Sequence, residues 1–419
     1  MSHSLFPDVT TAELAQRAAR VLTPNYRPAP IVFVRGEGAR LFDRDGRAYL
    51  DMVGGIAVNS LGQGHPRLAR VIQHQAETLI HVSNLWLNEP VIALAEWFVS
   101  HTFADRVFFA NSGAEANEAA LKLARRYQTV VRKAPEKTGV LAFHHSFHGR
   151  TMGALSVTGQ PKYHAGFEPL VPGAVFADFG DLASVERLLD AEGGKVGTII
   201  VEPIQCEGGV NIPPPGFLQG LRQSANRRDI VLIFDEVQTG VGRTGTWFAY
   251  EQADMRPDIL TTAKGIAGGV PLGVMVAIES VAAGFQPGSH ASTFGGNALA
   301  TRAGLEVVRV IEDEGLLDHA RILGKRLGAG LQGLVQKFPL LCQAQRGIGL
   351  IQALELRATA TATADQIATQ VIEKTRQRGL LLSQVQGRTL RLVPPLVVTE
   401  AEVDAAVALL AGVLDELGG

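Results

Sequence analysis

From about residue 105 the apolar positions come in short unbroken runs rather than in alternation. They are VFFA (107–110), VLAF (140–143), TIIVE (198–202), IVLIF (230–234), DILTT (258–262) and VMVAI (274–278). Strands covered on both faces carry this pattern. The stretches between them have helical spacing, and such alternation predicts a mainly parallel sheet with helices on both sides. Ligands in that architecture sit beyond the carboxyl ends of the strands. Asp235 and Lys264 both fall at such ends.

The flanks read differently. Residues 11–22 have helical spacing, after which Pro24, Pro28 and Pro30 enforce an extended passage. IVFVRGEGARLFDRDGRAYLDMVGG predicts short strands joined by turns at Gly36–Gly38 and Asp45–Gly46. Helices are expected over 66–81 and 89–103, the second with Asn88 as its cap and Pro90 in its first turn. After about residue 300 one long helical stretch leads into strands around GIGLIQALEL and a helix over 364–379. Short strands at 380–384 and 389–393 follow, then a last helix opened by Thr399 and Glu402 in capping-box spacing. The expected division is an N-terminal segment 1–65, a large domain 66–300 and a C-terminal small domain 301–419 to which the N-terminal strands contribute.

Composition narrows the class. The 419 residues are 46% hydrophobic and 19% charged, ordinary for a globular α/β protein of one or two lobes. A net charge of −2 gives no electrostatic footprint for nucleic acid or an anionic membrane. No apolar run approaches the ~18–20 residues of a membrane span, and the first residues lack the features of a secretory signal. Two cysteines, Cys206 and Cys342, make no disulfide framework. A cytoplasmic location is the expectation.

Lys264 is the centre of the chemistry. It follows a buried strand among Ala263, Gly265, Ala267, Gly268 and Gly269, where a bulky group can approach its amine. Desolvation there lowers a lysine's pKa and makes it a better nucleophile toward a carbonyl. Asp235, on the preceding strand, is the carboxylate that pyridoxal 5′-phosphate (PLP) needs opposite its pyridine nitrogen. Alternation sends Asp235 and Val237 to one side and Glu236 to the other, so the two acids do not form an acid/base pair. NSGAEAN at 111–117 opens a helix: Ser112 and Glu115 fit a capping box, while Gly113 and Ala114 leave first-turn N–H groups free for phosphate. His144, His145 and His148 invite a metal, but nothing nearby completes a zinc set. GVGRTG at 240–245 matches a dinucleotide fingerprint in letters only, since an acidic pair precedes it and a short helix follows.

FDEVQTGVGRTG…PDILTTAKGIAGG resembles the signature of the class III PLP aminotransferases. GGIAVNSLGQGHP, NSGAEANEAALKLAR, FHHSFHGRT, VEPIQCEGGV, HASTFGGN and RLVPPLVV are also similar to that family's segments, in its order. The similarity covers nearly the whole chain and is strongest to the acetylornithine aminotransferases. It implies the type I PLP-transferase fold, with a central, mainly parallel seven-stranded sheet and a small α+β domain.

The resemblance also implies roles. Lys264 binds the cofactor covalently and shuttles a proton, with Asp235 at the ring nitrogen. Ser112, Gly113 and Ala114 hold the phosphate, Phe147 and Val237 flank the ring, and Gln238 reaches the phenolic oxygen. His148 and Glu236 complete the cofactor set, and Thr293 reaches the phosphate of a neighbouring subunit's cofactor. Arg150 takes a substrate carboxylate and Ser292 lies by the substrate. Glu207 pairs with Arg391 until 2-oxoglutarate needs that arginine. The implied enzyme is a homodimer with shared sites, without metal, nucleic acid or membrane. It moves the δ-amino group of N2-acetylornithine to 2-oxoglutarate, in arginine biosynthesis. Succinylornithine, ornithine and 4-aminobutyrate transaminases share this chemistry; a PLP racemase, aminomutase or decarboxylase, or a non-catalytic binder, are the chemically different alternatives. Ala114, Cys206 and Phe294 stand where the family usually has Thr, Gly and Tyr.

Overall fold

The computed structural model describes residues 5–418. Strands β1 (Phe33–Glu37), β2 (Arg40–Asp43) and β3 (Ala48–Asp51) form an antiparallel meander. Its turns sit at Gly38 and Gly46, whose left-handed φ values of 54° and 81° are at no steric cost only for glycine. Gly36 belongs to β1 rather than to the turn.

The large sheet is built from β4 (Arg106–Ala110), β5 (Gly139–Phe143), β6 (Ala174–Ala177), β7 (Val196–Val201), β8 (Val231–Asp235), β9 (Ile259–Thr262) and β10 (Gly273–Ala277). The seven strands lie in the order β4-β10-β9-β8-β7-β5-β6. Pairs from β6 to β9 are parallel, while β10 runs antiparallel to both β9 and β4. β10 is as continuously apolar as its neighbours because both its faces are covered, so its residues do not report its direction. The connection does: between Thr262 and Gly273 there is only a 3₁₀ turn, too little for the crossover that a parallel neighbour needs. The runs predicted above omit β6, four residues at the sheet edge that are mostly half-buried.

The helix Gly113–Arg126 follows β4 and buries Ala116, Ala119, Ala120, Leu123 and Ala124. The four alanines let its axis approach β9 and β10 closely. The helices Pro66–Thr78 and Glu89–His101 end slightly before their expected limits, and the Asn88 side chain accepts the Val91 N–H at 3.0 Å. The stretch expected as one long helix is two, Ala298–Asp313 and Leu316–Lys337, broken where Gly315 turns left-handed.

The C-terminal part contains β11 (Cys342–Ile348), β12 (Ile351–Leu356), β13 (Leu380–Leu381), β14 (Ser383–Val385) and β15 (Thr389–Leu392). The single strand expected at 380–384 serves two sheets. Leu380 and Leu381 pair in parallel with Leu50 and Asp51 of β3, while β14 joins a sheet of order β11-β12-β15-β14. The first strands of the chain are thereby hydrogen-bonded to its last third. Thr399 and Glu402 form the expected reciprocal cap on the helix Glu400–Gly418.

Candidate active site

A cavity of about 380 Å³ opens at the carboxyl ends of β7, β8 and β9. Lys264 lines it from a 3₁₀ turn that starts two residues after β9, with φ of 44°. Burial lowers the pKa of its amine, against the raising influence of the Glu207 charge. The surrounding small residues have a more local reason than cofactor access. A Cβ on Gly265 would lie 2.5 Å from Ser60 Oγ, and one on Gly268 would lie 2.5 Å from Leu68 Cδ2. Ala263 and Gly269 line the cavity itself.

Asp235, the last residue of β8, is 4% exposed. Its Oδ2 accepts from Asn117 Nδ2 and from His148 Nδ1, each at 2.7 Å, while Oδ1 takes only the Val237 N–H at 3.0 Å. Asn117 is held in turn by the Thr261 hydroxyl at 2.6 Å and donates its other hydrogen to the His148 carbonyl. The anion is fixed by donors from the helix after β4, the loop after β5 and its own turn. Asn117 and Thr261 escaped the sequence reading, although an asparagine on an otherwise alanine-rich buried helix face was a visible signal.

At the helix N-terminus Ser112 Oγ accepts the Glu115 N–H at 3.2 Å, but the Glu115 carboxylate reaches past Ser112 to the Asn111 N–H at 2.6 Å. The N–H groups of Gly113 and Ala114, both at the cavity, have no acceptor among the described residues. Gly113 is required there, because a Cβ would meet a Val237 methyl at 2.6 Å. Phe147 and Val237 both line the cavity.

On the other side Glu207 forms an ion pair with Arg391, a residue of β15 that is only 2% exposed. Burial alone would raise the Glu207 pKa, but the charges of Arg391 and Lys264 hold it below the ordinary value. Gln238 bridges the pair, accepting from Arg391 Nη1 at 2.9 Å and donating to Glu207 Oε1 at 3.3 Å. Its amide is thus turned toward this pair. Arg150 makes no ion pair among the described residues; its guanidinium lies 3.8 Å from the centroid of the Tyr163 ring and 5.6 Å from that of Phe147. Cys206, where the family usually has glycine, fills an apolar cluster with Ile204, Val210, Ile351 and Val393. Burial pushes its thiol up to about 12, so it is not a nucleophile at neutral pH.

The profile of the family described as aminotransferase class-III matches residues 21–414. The chain belongs to the class III aminotransferases. It is 46% identical to the acetylornithine aminotransferase of Thermosynechococcus vestitus, covering 95% of this chain and 96% of that protein. It is 45% identical to the acetylornithine aminotransferase of Aquifex aeolicus, covering 94% and 99%. The ornithine aminotransferase of Toxoplasma gondii superposes with a TM-score of 0.92 at 32% identity, covering 98% and 96% of the two chains.

Class III aminotransferases use PLP, and this cavity fits it: an amine of lowered pKa, a buried carboxylate with one lightly used oxygen, and unpaired helix N–H groups for a phosphate. Two assignments fare differently. Glu236, placed in the cofactor set, is wholly buried and turned away from the cavity. Its carboxylate accepts the N–H groups of Ala249 and Tyr250 at 2.6 and 2.9 Å and the Thr239 hydroxyl at 3.0 Å, and burial pushes its pKa up to about 7. Ser292 and Thr293 do not line the cavity of their own chain; Ser292 Oγ lies 3.3 Å from Asn111 Nδ2, and Thr293 is exposed. Glu202 is 6% exposed and lines the cavity.

Proposed function

We propose that this class III aminotransferase transfers the δ-amino group of N2-acetyl-L-ornithine to 2-oxoglutarate. The products are N-acetyl-L-glutamate 5-semialdehyde and L-glutamate, in arginine biosynthesis. The observation that carries the reading is the buried Glu207–Arg391 pair beside Lys264, with Arg150 free of any carboxylate. Such a pocket has one cation open to the donor's remote carboxylate and a second that becomes open only when Glu207 turns away. The names of the relatives at 45–46% identity support the same donor.

Bound at Lys264, PLP supplies an electron sink for charge developing on the carbon next to the reacting nitrogen. Asp235 Oδ1 would accept a hydrogen bond from the ring nitrogen, holding that nitrogen protonated and the sink strong. The Gly113 and Ala114 N–H groups bind the phosphate, and Phe147 and Val237 flank the ring. Lys264 Nζ, at the cavity, would be the base that takes the proton from the substrate's δ-carbon. Arg150 holds the donor's α-carboxylate through its planar fork. In the second half Glu207 turns away and Arg391 takes the α-carboxylate of 2-oxoglutarate, so the buried guanidinium is not left unpaired.

We further propose a cytoplasmic homodimer in which Ser292 and Thr293 serve the partner's site. Leu85, Trp86 and Leu87 are 83%, 71% and 85% exposed, and Phe294 is 62% exposed. Asn84 ties this apolar stretch to the 292–295 loop by donating to the carbonyls of Ser292 and Gly295 at 2.9 Å. An apolar surface of this kind supports a protein interface. Light scattering is expected to give twice the chain mass, and Thr293→Ala to weaken PLP binding.

A donor panel tests the substrate. PLP-loaded enzyme is mixed separately with N-acetylornithine, succinylornithine, ornithine and 4-aminobutyrate, and loss of the lysine-bound cofactor's visible absorbance is followed. Fastest conversion by N-acetylornithine supports the reading. A faster rival keeps the class and replaces the donor, and no conversion by any of them overturns transamination.

A further inference from the structure

Glu202 follows the last residue of β7, between the strand that leads to Phe147 and the strand that ends in Asp235. It lines the cavity and is 6% exposed, yet it makes no ion pair among the described residues, the Lys264 charge acting on it only from a distance. Its Oε2 accepts the backbone N–H of Phe147 at 3.1 Å, and Oε1 makes no hydrogen bond among the described residues. Phe147 sits in a loop whose backbone is otherwise held from the neighbouring residues: the His148 N–H donates to Thr158 Oγ1 at 2.9 Å, and the Ser146 N–H to the Phe143 carbonyl at 3.2 Å. No other acceptor among the described residues takes the Phe147 N–H. The direction in which the Phe147 side chain leaves the backbone is therefore set on one side by Glu202.

We propose that Glu202 is a positioning residue, fixing the Phe147 backbone and through it the ring that faces the cofactor. The physical requirement is an acceptor at this place, not a charge. Burial, reinforced by the nearby Asp235 charge, pushes the Glu202 pKa well above the ordinary carboxylate value. A neutral acceptor also avoids a second anion beside the one that must stay on Asp235. A glutamine keeps the acceptor and loses only the acid, whereas alanine leaves the Phe147 N–H without a partner. The proposal rests on PLP as the cofactor of this cavity and not on the choice of amino donor.

The test is PLP binding to apoenzyme, measured as dissociation constant and as visible circular dichroism of the bound cofactor, with no substrate present. Glu202→Gln is expected to bind within about threefold of wild type with an unchanged dichroic band. Glu202→Ala is expected to bind about tenfold more weakly with a reduced band, the effect of one lost buried hydrogen bond. In a Phe147→Ala background the Glu202→Ala change is expected to add nothing, because the ring it positions is gone. Should Glu202→Ala not fold, Glu202→Ser, too short to reach Phe147, replaces it in both backgrounds. Wild-type binding by the alanine or serine variant overturns the proposal, as does equal loss in the glutamine variant or additivity with Phe147→Ala.

Discussion

Asp235 and Glu207 border the same cavity and are held in opposite ways. Asp235 accepts three N–H donors, two of them neutral amides and one a histidine, from elements that pack on the large sheet. Glu207 sits on a loop and makes one ion pair among the described residues, with Arg391, carried by a different sheet, and Gln238 bridges the two. On our reading the difference follows from use. A charge that must persist through the whole cycle is held by several fixed donors. A charge that must step aside is held by one partner, so that a substrate carboxylate can replace it one for one.

The largest expected effect lies where neither mode of holding can compensate. Lys264→Ala is expected to lower turnover by about a thousandfold or more, since it removes both the attachment and the proton carrier. Steady-state rates with the donor of choice check this. Arg391→Ala then separates the two regions. The apparent KM for 2-oxoglutarate is expected to rise by about a hundredfold, the scale of a lost buried charge-assisted contact. The donor half-reaction, anchored on Arg150, should change only a few-fold. Equal damage to both halves would erase the contrast between a fixed and an exchangeable charge.

A smaller effect tests the electrostatic link between Glu207 and Lys264. The Lys264 amine is lowered below its usual 10.5 by burial, and the Glu207 charge works against that shift. Glu207→Gln removes the opposing charge and leaves Arg391 unneutralised, and both changes lower the amine's pKa further. Capture of PLP by apoenzyme needs the neutral amine, so its rate at pH 7 is expected to rise a few-fold, with the rate–pH profile displaced to lower pH. An unchanged profile would mean the two groups are electrostatically independent. The smallest effect concerns Arg150: Tyr163→Leu is expected to raise the donor KM about two- to fivefold with kcat unchanged, and Tyr163→Phe to leave it as it is.

Much of this was legible from residue order. Unbroken apolar runs marked the covered strands, and their ends located Asp235 and Lys264. Direction was not legible for β10, because burial on both faces looks the same either way and only the short connection decides. Leu380–Val385 could not be divided between two sheets, since the division depends on β3 lying beside it after folding. In the site, side-chain type and spacing pointed to Asp235 and Lys264, and the family resemblance to Gln238 and Arg391. The partners that orient them did not stand out: Asn117 and Thr261 lie 118 and 26 residues from Asp235 in the chain, and sequence separation conceals such contacts. Alternation already sent Glu236 away from the Asp235 side, against its place in the cofactor set implied by the resemblance, but its partners at Ala249 and Tyr250 come together only in the folded chain.

The most direct test runs the two half-reactions separately on wild type and on Arg391→Ala, each followed by the cofactor's visible absorbance. The wild type should lose the band with N-acetylornithine and recover it with 2-oxoglutarate, releasing one glutamate per site. Arg391→Ala should still lose the band with N-acetylornithine but recover it with 2-oxoglutarate only at far higher concentration. Failure of N-acetylornithine to discharge the wild-type band, or normal recovery in the variant, would contradict the account.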